Sequence, residues 1–331
     1  MDQPPIRWGI LATGTIAARF VADLRRLPDA EVLAVGSRSQ AAADAFARRH
    51  AIPRAYGDWA ALAADGDLDV VYVATPHSAH HAAAAQCLAA GRAVLCEKPL
   101  TLDAGSAREL VDAARAAGVF RMEGMWTRCN PTIRRLVELV DAGAIGPVTA
   151  VHADFGLAGP LPTGHRLRDP ALGGGALLDL GVYPVTLAHL LLGRPDRIEA
   201  WASLTPEGVD QHTGLLFGYP TGSLAALTCG FVGASRNAAV VTGQTGRIEL
   251  PTAFWCPTQL TLHRPGADPS VLEAPLVGHG YGPEAAEVHR CLRAGLVESP
   301  LVPHAATLEV MSMLDGIRAR IGVTYPAATS P

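Results

Sequence analysis

The first 124 residues alternate between short apolar segments and helical patterns, and this alternation constrains the fold more than any other feature. Apolar segments of strand length begin at Ile6, Glu31, Asp69, Ala93 and Val119, with helical patterns between them. A parallel connection needs a crossover, usually a helix, so strands and helices that alternate at this spacing build a doubly wound parallel sheet. We therefore predict an α/β domain over residues 1–124.

The first strand passes into its helix through a short turn that is typical of dinucleotide-binding folds. The fingerprint G-x-G-x-x-G/A is present as Ala12-x-Gly14-x-x-Ala17, so alanine replaces the first glycine. A side chain at Gly14 would keep a pyrophosphate away from the backbone amides at the helix N-terminus. Ala12 fits only if its φ is negative. The pattern is weak alone, since many such turns bind nothing; it predicts a pyrophosphate site made by Ala12, Thr13, Gly14, Thr15 and Ile16.

The second strand ends in Gly36-Ser37-Arg38, about 20 residues past the glycine turn, where the fingerprint expects the residue that binds the ribose. An NAD site would carry Asp or Glu there. A hydroxyl and a guanidinium suit a 2′-phosphate instead, although a solvated turn arginine is the plainer alternative. We predict NADP as the cofactor, bound in part by Ser37 and Arg38.

Two later strands also end abruptly in polar residues. One ends in Thr75-Pro76-His77, and His80 begins the following helix; the other ends in Glu97-Lys98-Pro99. The carboxyl ends of parallel strands are where ligands bind in open sheets, which places Lys98 at a cofactor crevice, the alternative being a solvated strand-end lysine. His77 is either a polar cap or a contact beside the nicotinamide. Glu97 either anchors the cofactor or forms a structural ion pair.

From residue 125 onward the pattern changes to strands joined by short turns, which predicts a mostly antiparallel sheet in a second domain, 125–331. A helix over 176–192 is apolar nearly all round, so we predict that it is buried, with a kink at Pro184. An isolated carboxylate there is costly, and Asp179 must be paired or face a polar cleft. Tyr183 lies one helical turn further on and is either a core aromatic or a partner of Asp179 in a site.

Length, charge and cysteine usage narrow the class of protein. The 331 residues favour two domains, and a net charge of -4 gives no reason to expect a nucleic-acid partner. The six cysteines are widely spaced without a C-x-x-C pair, which argues against a metal site and favours reduced thiols. No signal peptide or membrane-spanning segment is predicted, so we expect a cytoplasmic protein without a membrane partner.

Together these motifs resemble the Gfo/Idh/MocA oxidoreductase family. The resemblance covers nearly the whole chain, from the Gly9–Ala17 turn to Gly173-Gly174-Gly175 and Asp179. Most of the family has Asp-x-x-x-His where this chain has Asp179-x-x-x-Tyr183, a departure similar to the branch of dimeric dihydrodiol dehydrogenases, NADP-dependent D-xylose dehydrogenases and sugar ketoreductases. Met125-Trp126-Thr127-Arg128 and Arg166 also look like that branch.

The resemblance implies a Rossmann domain, a second α+β domain with a large open sheet, dimerisation through that sheet, and often a cis Lys-Pro bond. It implies cofactor contacts from Trp126 and Arg166 in addition to the strand-end residues, and substrate contacts from Lys98, Trp126, Phe155, Asp179 and Tyr183. Lys98 and Tyr183 titrate near pH 10 when free, roughly three units above neutrality. We predict Tyr183 as the proton carrier, Lys98 as its electrostatic partner and Asp179 as the group that binds substrate hydroxyls or Lys98.

Three functions are compatible with these residues. The first is an NADP(H)-dependent oxidoreductase acting on a secondary alcohol of a pyranose or on a cyclic diol, as a homodimer or higher homo-oligomer. The second is a ketoreductase acting on a nucleotide-linked sugar. The third is a non-catalytic sensor of dinucleotides, which the presence of both Lys98 and Tyr183 argues against.

Overall fold

The computed structural model describes residues 4–326, which form two compact units. The first unit comprises the described residues up to Trp126 together with Leu276–Leu308, and the second comprises Thr127–Pro275 and the described residues from Glu309 onward. The outermost residues of the predicted domains, 1–3 and 327–331, lie outside this range. The functional division into 1–124 and 125–331 stays a prediction, and by packing the segment Leu276–Leu308 belongs to the first unit.

Two sheets account for the strands of the described chain. The first has the order β3-β2-β1-β4-β5-β6 and is parallel throughout; the second has the order β14-β13-β12-β11-β7-β10-β9-β8 and is antiparallel except for the pair β7 and β10. The strands are Ile6–Leu11 (β1), Ala30–Gly36 (β2), Arg54–Tyr56 (β3), Val70–Val73 (β4), Ala93–Glu97 (β5), Arg121–Gly124 (β6), Val148–Gly156 (β7), Arg197–Leu204 (β8), Asp210–Gly218 (β9), Leu224–Gly230 (β10), Ala239–Gly243 (β11), Gly246–Leu250 (β12), Gln259–His263 (β13) and Ser270–Glu273 (β14). The predicted fold class is confirmed.

Most helices agree with the sequence pattern to within a few residues; α6 was not predicted, and α8 begins later than expected. They are Thr15–Leu24 (α1), Gln40–Arg49 (α2), Trp59–Ala63 (α3), His80–Ala89 (α4), Ala104–Ala117 (α5), Trp126–Cys129 (α6), Pro131–Asp141 (α7), Val182–Leu192 (α8), Gly282–Arg293 (α9) and His304–Ile321 (α10). Asp58, Asp103 and Asn130 accept hydrogen bonds from backbone amides in the first turns of α3, α5 and α7. These caps fix where the helices begin.

Burial patterns explain why the two sheets differ. Every residue of β4 is buried, as expected of a parallel strand covered by helices on both faces. In β9 and β10 buried and more exposed residues alternate, so one face of the second sheet packs inward and the other is open. The short strands β3 and β14 escaped the sequence analysis because each has only three or four residues.

The predicted helix over 176–192 is not continuous. Leu177–Gly181 forms a π-helical segment, and α8 begins at Val182. Pro184 has no amide hydrogen and cannot form the α-helical bond to the carbonyl four residues earlier, and the hydrogen-bonding register changes just before it. The predicted kink stays a prediction. The expectation that Asp179 and Tyr183 share a face assumed α-helical spacing, which this segment does not have. The stretch Pro170–Leu192 is long and apolar enough to cross a membrane, but 83% of its apolar window is buried inside the protein, as in a core helix.

The expected negative φ at Ala12 is wrong, because its φ is 138°. The backbone there takes the conformation that the fingerprint glycine normally supplies, and the Ala12 amide donates to the Gly36 carbonyl at 3.1 Å. A non-glycine residue in a sparsely populated conformation costs about 1–3 kcal/mol. The turn therefore keeps the shape of a glycine turn in spite of its sequence.

Replacing Ala12 with glycine should stabilise the protein. Relief of strain outweighs the extra entropy of an unfolded chain with glycine, about 0.4–1 kcal/mol, so we expect a net gain of about 1 kcal/mol in the free energy of unfolding. Urea unfolding of both proteins measures this difference in the free energy of unfolding. Ala18→Gly, within α1, is the matched control and should lose about 1 kcal/mol. A loss of stability in Ala12→Gly would show that the positive φ is not strained.

Candidate active site

The turn between β1 and α1 presents an open helix N-terminus. Gly14 is extended and precedes α1, no side chain caps the helix, and the first turn contains no acidic residue. A Cβ at Gly14 would meet nothing within 4 Å. Thr15 and Ile16 are exposed. Unsatisfied amides with room in front of them and no competing carboxylate fit the pyrophosphate of a dinucleotide.

The end of β2 also lacks an acidic residue. The Ser37 amide donates to the Tyr56 carbonyl at 3.0 Å, which fixes the backbone where the strand ends. Arg38 is exposed, and Ser39 caps α2. A hydroxyl and an exposed guanidinium beside the expected ribose position suit a dianionic 2′-phosphate better than a neutral 2′-hydroxyl.

At the end of β4, His77 and His80 differ in what they can do. His77 lies in a short 3₁₀ turn, His77–Ala79, and is mostly buried. His80 has no exposed surface, and its Nδ1 and Nε2 lie 2.9 Å from the carbonyl oxygens of Pro99 and Thr75. Burial lowers the pKa of His80 to about 3, so the ring is neutral. A neutral ring donates only one of these two hydrogen bonds, to the carbonyl of Pro99 or to that of Thr75. The predicted contact of His80 with the cofactor stays a prediction.

The Glu97-Lys98-Pro99 turn has a partner that the sequence analysis missed. The Tyr72 hydroxyl donates to Glu97 Oε1 at 2.5 Å, and the Lys98 amide donates to Oε2 at 3.2 Å. Burial raises the pKa of Glu97, with the nearby Lys98 opposing the shift. Lys98 is half-buried, and its bond to Pro99 is cis, as the resemblance implies. Glu97 therefore fixes the backbone that carries Lys98, and its contact with the cofactor stays a prediction.

Trp126 stacks on a second aromatic side chain of the first unit, Tyr281. Its ring lies 4.7 Å from that of Tyr281, with 15° between the planes. Tyr281 also contacts Phe20, which stacks on Tyr72 at 3.8 Å. A half-buried indole held in this way presents a rigid apolar surface.

The predicted cofactor residues of the first unit follow four neighbouring strands at one edge. The strands β2, β1, β4 and β5 are consecutive in the sheet, and all of them run parallel. Residues 12–16, Ser37, Thr75 with Pro76, and Lys98 follow their carboxyl ends. The strand order reverses between β1 and β4, and this is the topological switch point at which such sheets bind ligands.

In the second unit, the buried carboxylate of Asp179 has a cationic partner. Arg166 Nη2 donates to Asp179 Oδ2 at 3.0 Å, while Nη1 lies 3.4 Å from Oδ1. The Asp179 side chain is only 8% exposed and that of Arg166 is 55% exposed. Of the two predicted alternatives for Asp179, pairing or a polar cleft, the structure shows pairing. Arg166, predicted to contact the cofactor, is in this structure the partner of Asp179.

Tyr183 lies among aromatic rings. Phe155 is 5.7 Å from Tyr183 and stacks on Trp255 at 3.7 Å with 5° between the planes. Trp255 lies 6.2 Å from Tyr183, and its carbonyl accepts a 2.6 Å hydrogen bond from Thr127. Sequence reasoning missed Trp255, because it lies in an irregular loop with no motif. The second unit thus combines an ion pair, a phenol and a flat apolar wall.

These features define an oxidoreductase of the Rossmann class, and comparison with known proteins gives the family. Residues 6–125 match the model described as the oxidoreductase family with an NAD-binding Rossmann fold, and residues 133–249 match the Gfo/Idh/MocA C-terminal domain. The chain belongs to the Gfo/Idh/MocA family, and the resemblance inferred from its motifs is confirmed.

Full-length relatives include dihydrodiol dehydrogenases. The trans-1,2-dihydrobenzene-1,2-diol dehydrogenase of Homo sapiens is 38% identical over 330 residues, covering 97% of this chain and 98% of that protein. The enzyme of the same name from Macaca fuscata fuscata is 39% identical over 332 residues, with the same coverage of 97% and 98%.

Solved structures give a similar result. A 3-ketoreductase from Actinomadura kijaniata, crystallised with NADP and TDP-benzene, has a TM-score of 0.85 and 29% identity, covering 96% of this chain and 98% of its own. An aldose-aldose oxidoreductase from Caulobacter crescentus has a TM-score of 0.86 at 24% identity, covering 96% and 97% of the two chains, and shares the fold.

Proposed function

We propose that the chain is an NADP(H)-dependent oxidoreductase that transfers a hydride between the nicotinamide and a secondary alcohol or ketone of a sugar or cyclic diol. The observation that carries the proposal is full-length similarity to dihydrodiol dehydrogenases, together with the polar residues at four neighbouring strand ends. The 3-ketoreductase crystallised with NADP supports the same cofactor. Bound NADP supplies the hydride carrier, and the protein supplies binding, orientation and a route for the proton.

The residues of the first unit fit NADP at two chemically distinct points. The open N-terminus of α1 suits the pyrophosphate, and the Ser37-Arg38 turn suits the 2′-phosphate. Trp126 offers a flat surface, and Lys98 lies on a backbone fixed by Glu97. These contacts would be made by Ala12, Thr13, Gly14, Thr15, Ile16, Ser37, Arg38, Thr75, Pro76, His77, Glu97, Lys98 and Trp126.

The hydroxyl proton of the substrate needs an acceptor when the carbinol is oxidised, and the carbonyl oxygen needs a donor in the reverse direction. Tyr183 is the proton carrier in our proposal, because it is a phenol held among aromatic side chains beside a carboxylate-bearing segment. Lys98 is its electrostatic partner: a neighbouring ammonium lowers the pKa of a phenol. Two groups that interact in this way titrate as a unit.

Asp179 and its surroundings bind the substrate in this proposal. The carboxylate, oriented by Arg166, retains acceptor capacity for substrate hydroxyls. The stacked Phe155 and Trp255 rings offer a flat apolar face beside Tyr183. A ring with vicinal hydroxyls on one edge and an apolar face, such as a cyclic diol, matches both features. The A. kijaniata 3-ketoreductase was crystallised with TDP-benzene, which supports a nucleotide-linked sugar as the alternative substrate.

We also propose that the protein is a homodimer and cytoplasmic. Trp201, Leu216 and Leu224 are 72%, 46% and 49% exposed. The strand register places them on one face of β8, β9 and β10, since Trp201 pairs with Gly214 and Leu224 with Gly218, each two residues from Leu216. A second copy covering this face would bury a contiguous apolar patch.

No disulfide joins any of the six cysteines, which suits a reducing compartment such as the cytoplasm.

No metal takes part in this proposal. Among residues 4–326, no group of three or more His, Cys, Asp or Glu side chains is placed to hold a metal ion.

The cofactor preference can be measured directly. We expect NADP to bind at least about tenfold more tightly than NAD, because charge-assisted hydrogen bonds to the 2′-phosphate contribute about 1.5–3 kcal/mol. Arg38→Ala should remove the preference without changing the melting temperature. Fluorescence titration gives both dissociation constants, and Arg49→Ala, an exposed arginine in the last turn of α2, is the control. Equal affinities in the unmodified protein would contradict the assignment.

The proton-transfer unit can be tested by substitution. Lys98→Met and Tyr183→Phe should each lower kcat about 10²–10⁴-fold, the range for a lost acid or base, with NADP affinity little changed. The double variant should be hardly slower than either single one. Turnover of trans-1,2-dihydrobenzene-1,2-diol with NADP is the assay. Tyr219→Phe is the control, because that buried hydroxyl has no hydrogen-bond partner among the described residues. Normal kcat in Tyr183→Phe, with chemistry rate-limiting, would remove Tyr183 from the mechanism.

The dimer is tested at Trp201. A glutamate there would place a charge within a desolvated face, so Trp201→Glu should shift the protein to a monomer in sedimentation velocity. Val277→Glu alters a residue in the first unit that is 67% exposed, and it should leave the mass unchanged. A monomeric parent protein would refute the proposal.

A further inference from the structure

Tyr325 contacts the glycine-rich loop that precedes Asp179. Its hydroxyl donates to the Gly174 carbonyl at 2.5 Å. The ring lies beneath the Arg318 guanidinium, with 5.1 Å from the guanidinium carbon to the ring centre. Burial raises the pKa of Tyr325 well above that of a free phenol, so the hydroxyl remains a donor at any physiological pH. Nothing in the proposed chemistry uses this residue.

The loop that Tyr325 holds is tightly folded. The Gly174 and Gly175 amides donate to the carbonyls of Asp169 and Leu167 at 2.9 and 2.8 Å. A Cβ at Gly174 would lie 2.8–2.9 Å from three carbonyl oxygens, including that of Arg166. Gly174 can therefore hardly move without moving the backbone of Arg166, whose guanidinium binds Asp179.

A second anchor holds the other end of the same loop. Asp210 Oδ2 accepts from the Leu177 amide and from the Thr213 hydroxyl, both at 2.7 Å, and Asp210 is fully buried. Gly175 has a φ of 106°, and a Cβ there would lie 2.4 Å from Asp210 Oδ1. The loop is thus fixed just before the segment that carries Asp179. The loop thus has two anchors: Asp210 binds the Leu177 amide, and Tyr325, from the segment after α10, binds the Gly174 carbonyl.

We propose that Tyr325 is a positioning residue of the substrate site: through Gly174 it holds the loop in which Arg166 is aligned with Asp179. This inference rests on the proposed function, because it assigns Tyr325 an effect on substrate binding. Tyr325 itself touches neither substrate nor cofactor in this proposal. Its loss should therefore act on the Michaelis constant through Arg166 and leave the proton-transfer step intact.

The experiment compares Tyr325→Phe, which removes the hydroxyl alone, with the control Tyr219→Phe, which removes an unpartnered buried hydroxyl of the same unit. The substrate is trans-1,2-dihydrobenzene-1,2-diol with NADP. Tyr325→Phe should raise KM about three- to tenfold, the effect of one lost hydrogen bond, with kcat changed less than about twofold and NADP affinity unchanged. Amides of residues 166–177 should exchange hydrogen faster than in the control.

A double-mutant cycle separates positioning from general stability. Arg166→Met should raise KM on its own, and the increment from Tyr325→Phe should largely vanish in its presence, because both act on the same pair. A lower melting temperature with unchanged KM, or additive effects of the two substitutions on KM, would overturn the inference. If the unmodified enzyme turns over neither the diol nor a nucleotide-linked keto-sugar, the proposed function fails and the inference fails with it.

Discussion

The strands of the first unit are covered on both faces, and this constraint determines where its chemistry can lie. A polar side chain in the middle of β4 would be buried without a partner, at a cost of roughly 1–3 kcal/mol. In β4 and β5 the charged groups accordingly lie at or beyond the strand ends, and in a parallel sheet the carboxyl ends meet at one edge. Tyr72 obeys the same constraint. It is the one polar side chain of β4, and its hydroxyl is used to hold Glu97 at the end of the neighbouring strand.

The second unit buries a charged side chain and pairs it with a cation. Its buried helical stretch is apolar almost throughout, and the carboxylate of Asp179 lies within it. Arg166 compensates the charge, but an ion pair stabilises a carboxylate only if its geometry is held, since two separated charges in a buried setting are costly. The loop that carries Arg166 therefore needs anchors. Asp210 and Tyr325 supply them from two segments distant in sequence.

Sequence reasoning succeeded where local pattern determines structure. Apolar runs and helical patterns identified most strands and helices, and the strand-end residues followed from topology. The expectation of a negative φ at Ala12 was wrong, because the tertiary constraint of the turn overrides the preference of alanine for negative φ. The register change before Pro184 was predicted as a simple kink, since proline shows where an α-helical bond is lost but not what replaces it.

The partners of the predicted residues were the part that the sequence could not supply. Asp179 was expected to be paired or to face a polar cleft, yet Arg166 was assigned to the cofactor, because the two lie thirteen positions apart with a Gly-rich loop between them. Trp255 and Tyr325 lie in loops with no periodicity, and their contacts are with residues far along the chain. Such contacts depend on how segments pack, which no local pattern encodes.

Glu284 shows how the same rules limit the charge around Lys98. Its carboxyl is fully buried in the first turn of α9, with no hydrogen-bond partner among the described residues. Burial and the nearby Glu97 raise its pKa well above that of a free carboxyl group, because a second negative charge there would be both desolvated and repelled. Burial raises the pKa of Glu97 as well, but there Lys98 and the hydrogen bond from the Tyr72 hydroxyl oppose the shift and favour the ionised form. Ionisation of Glu97 beside Lys98 thus makes ionisation of Glu284 less favourable still.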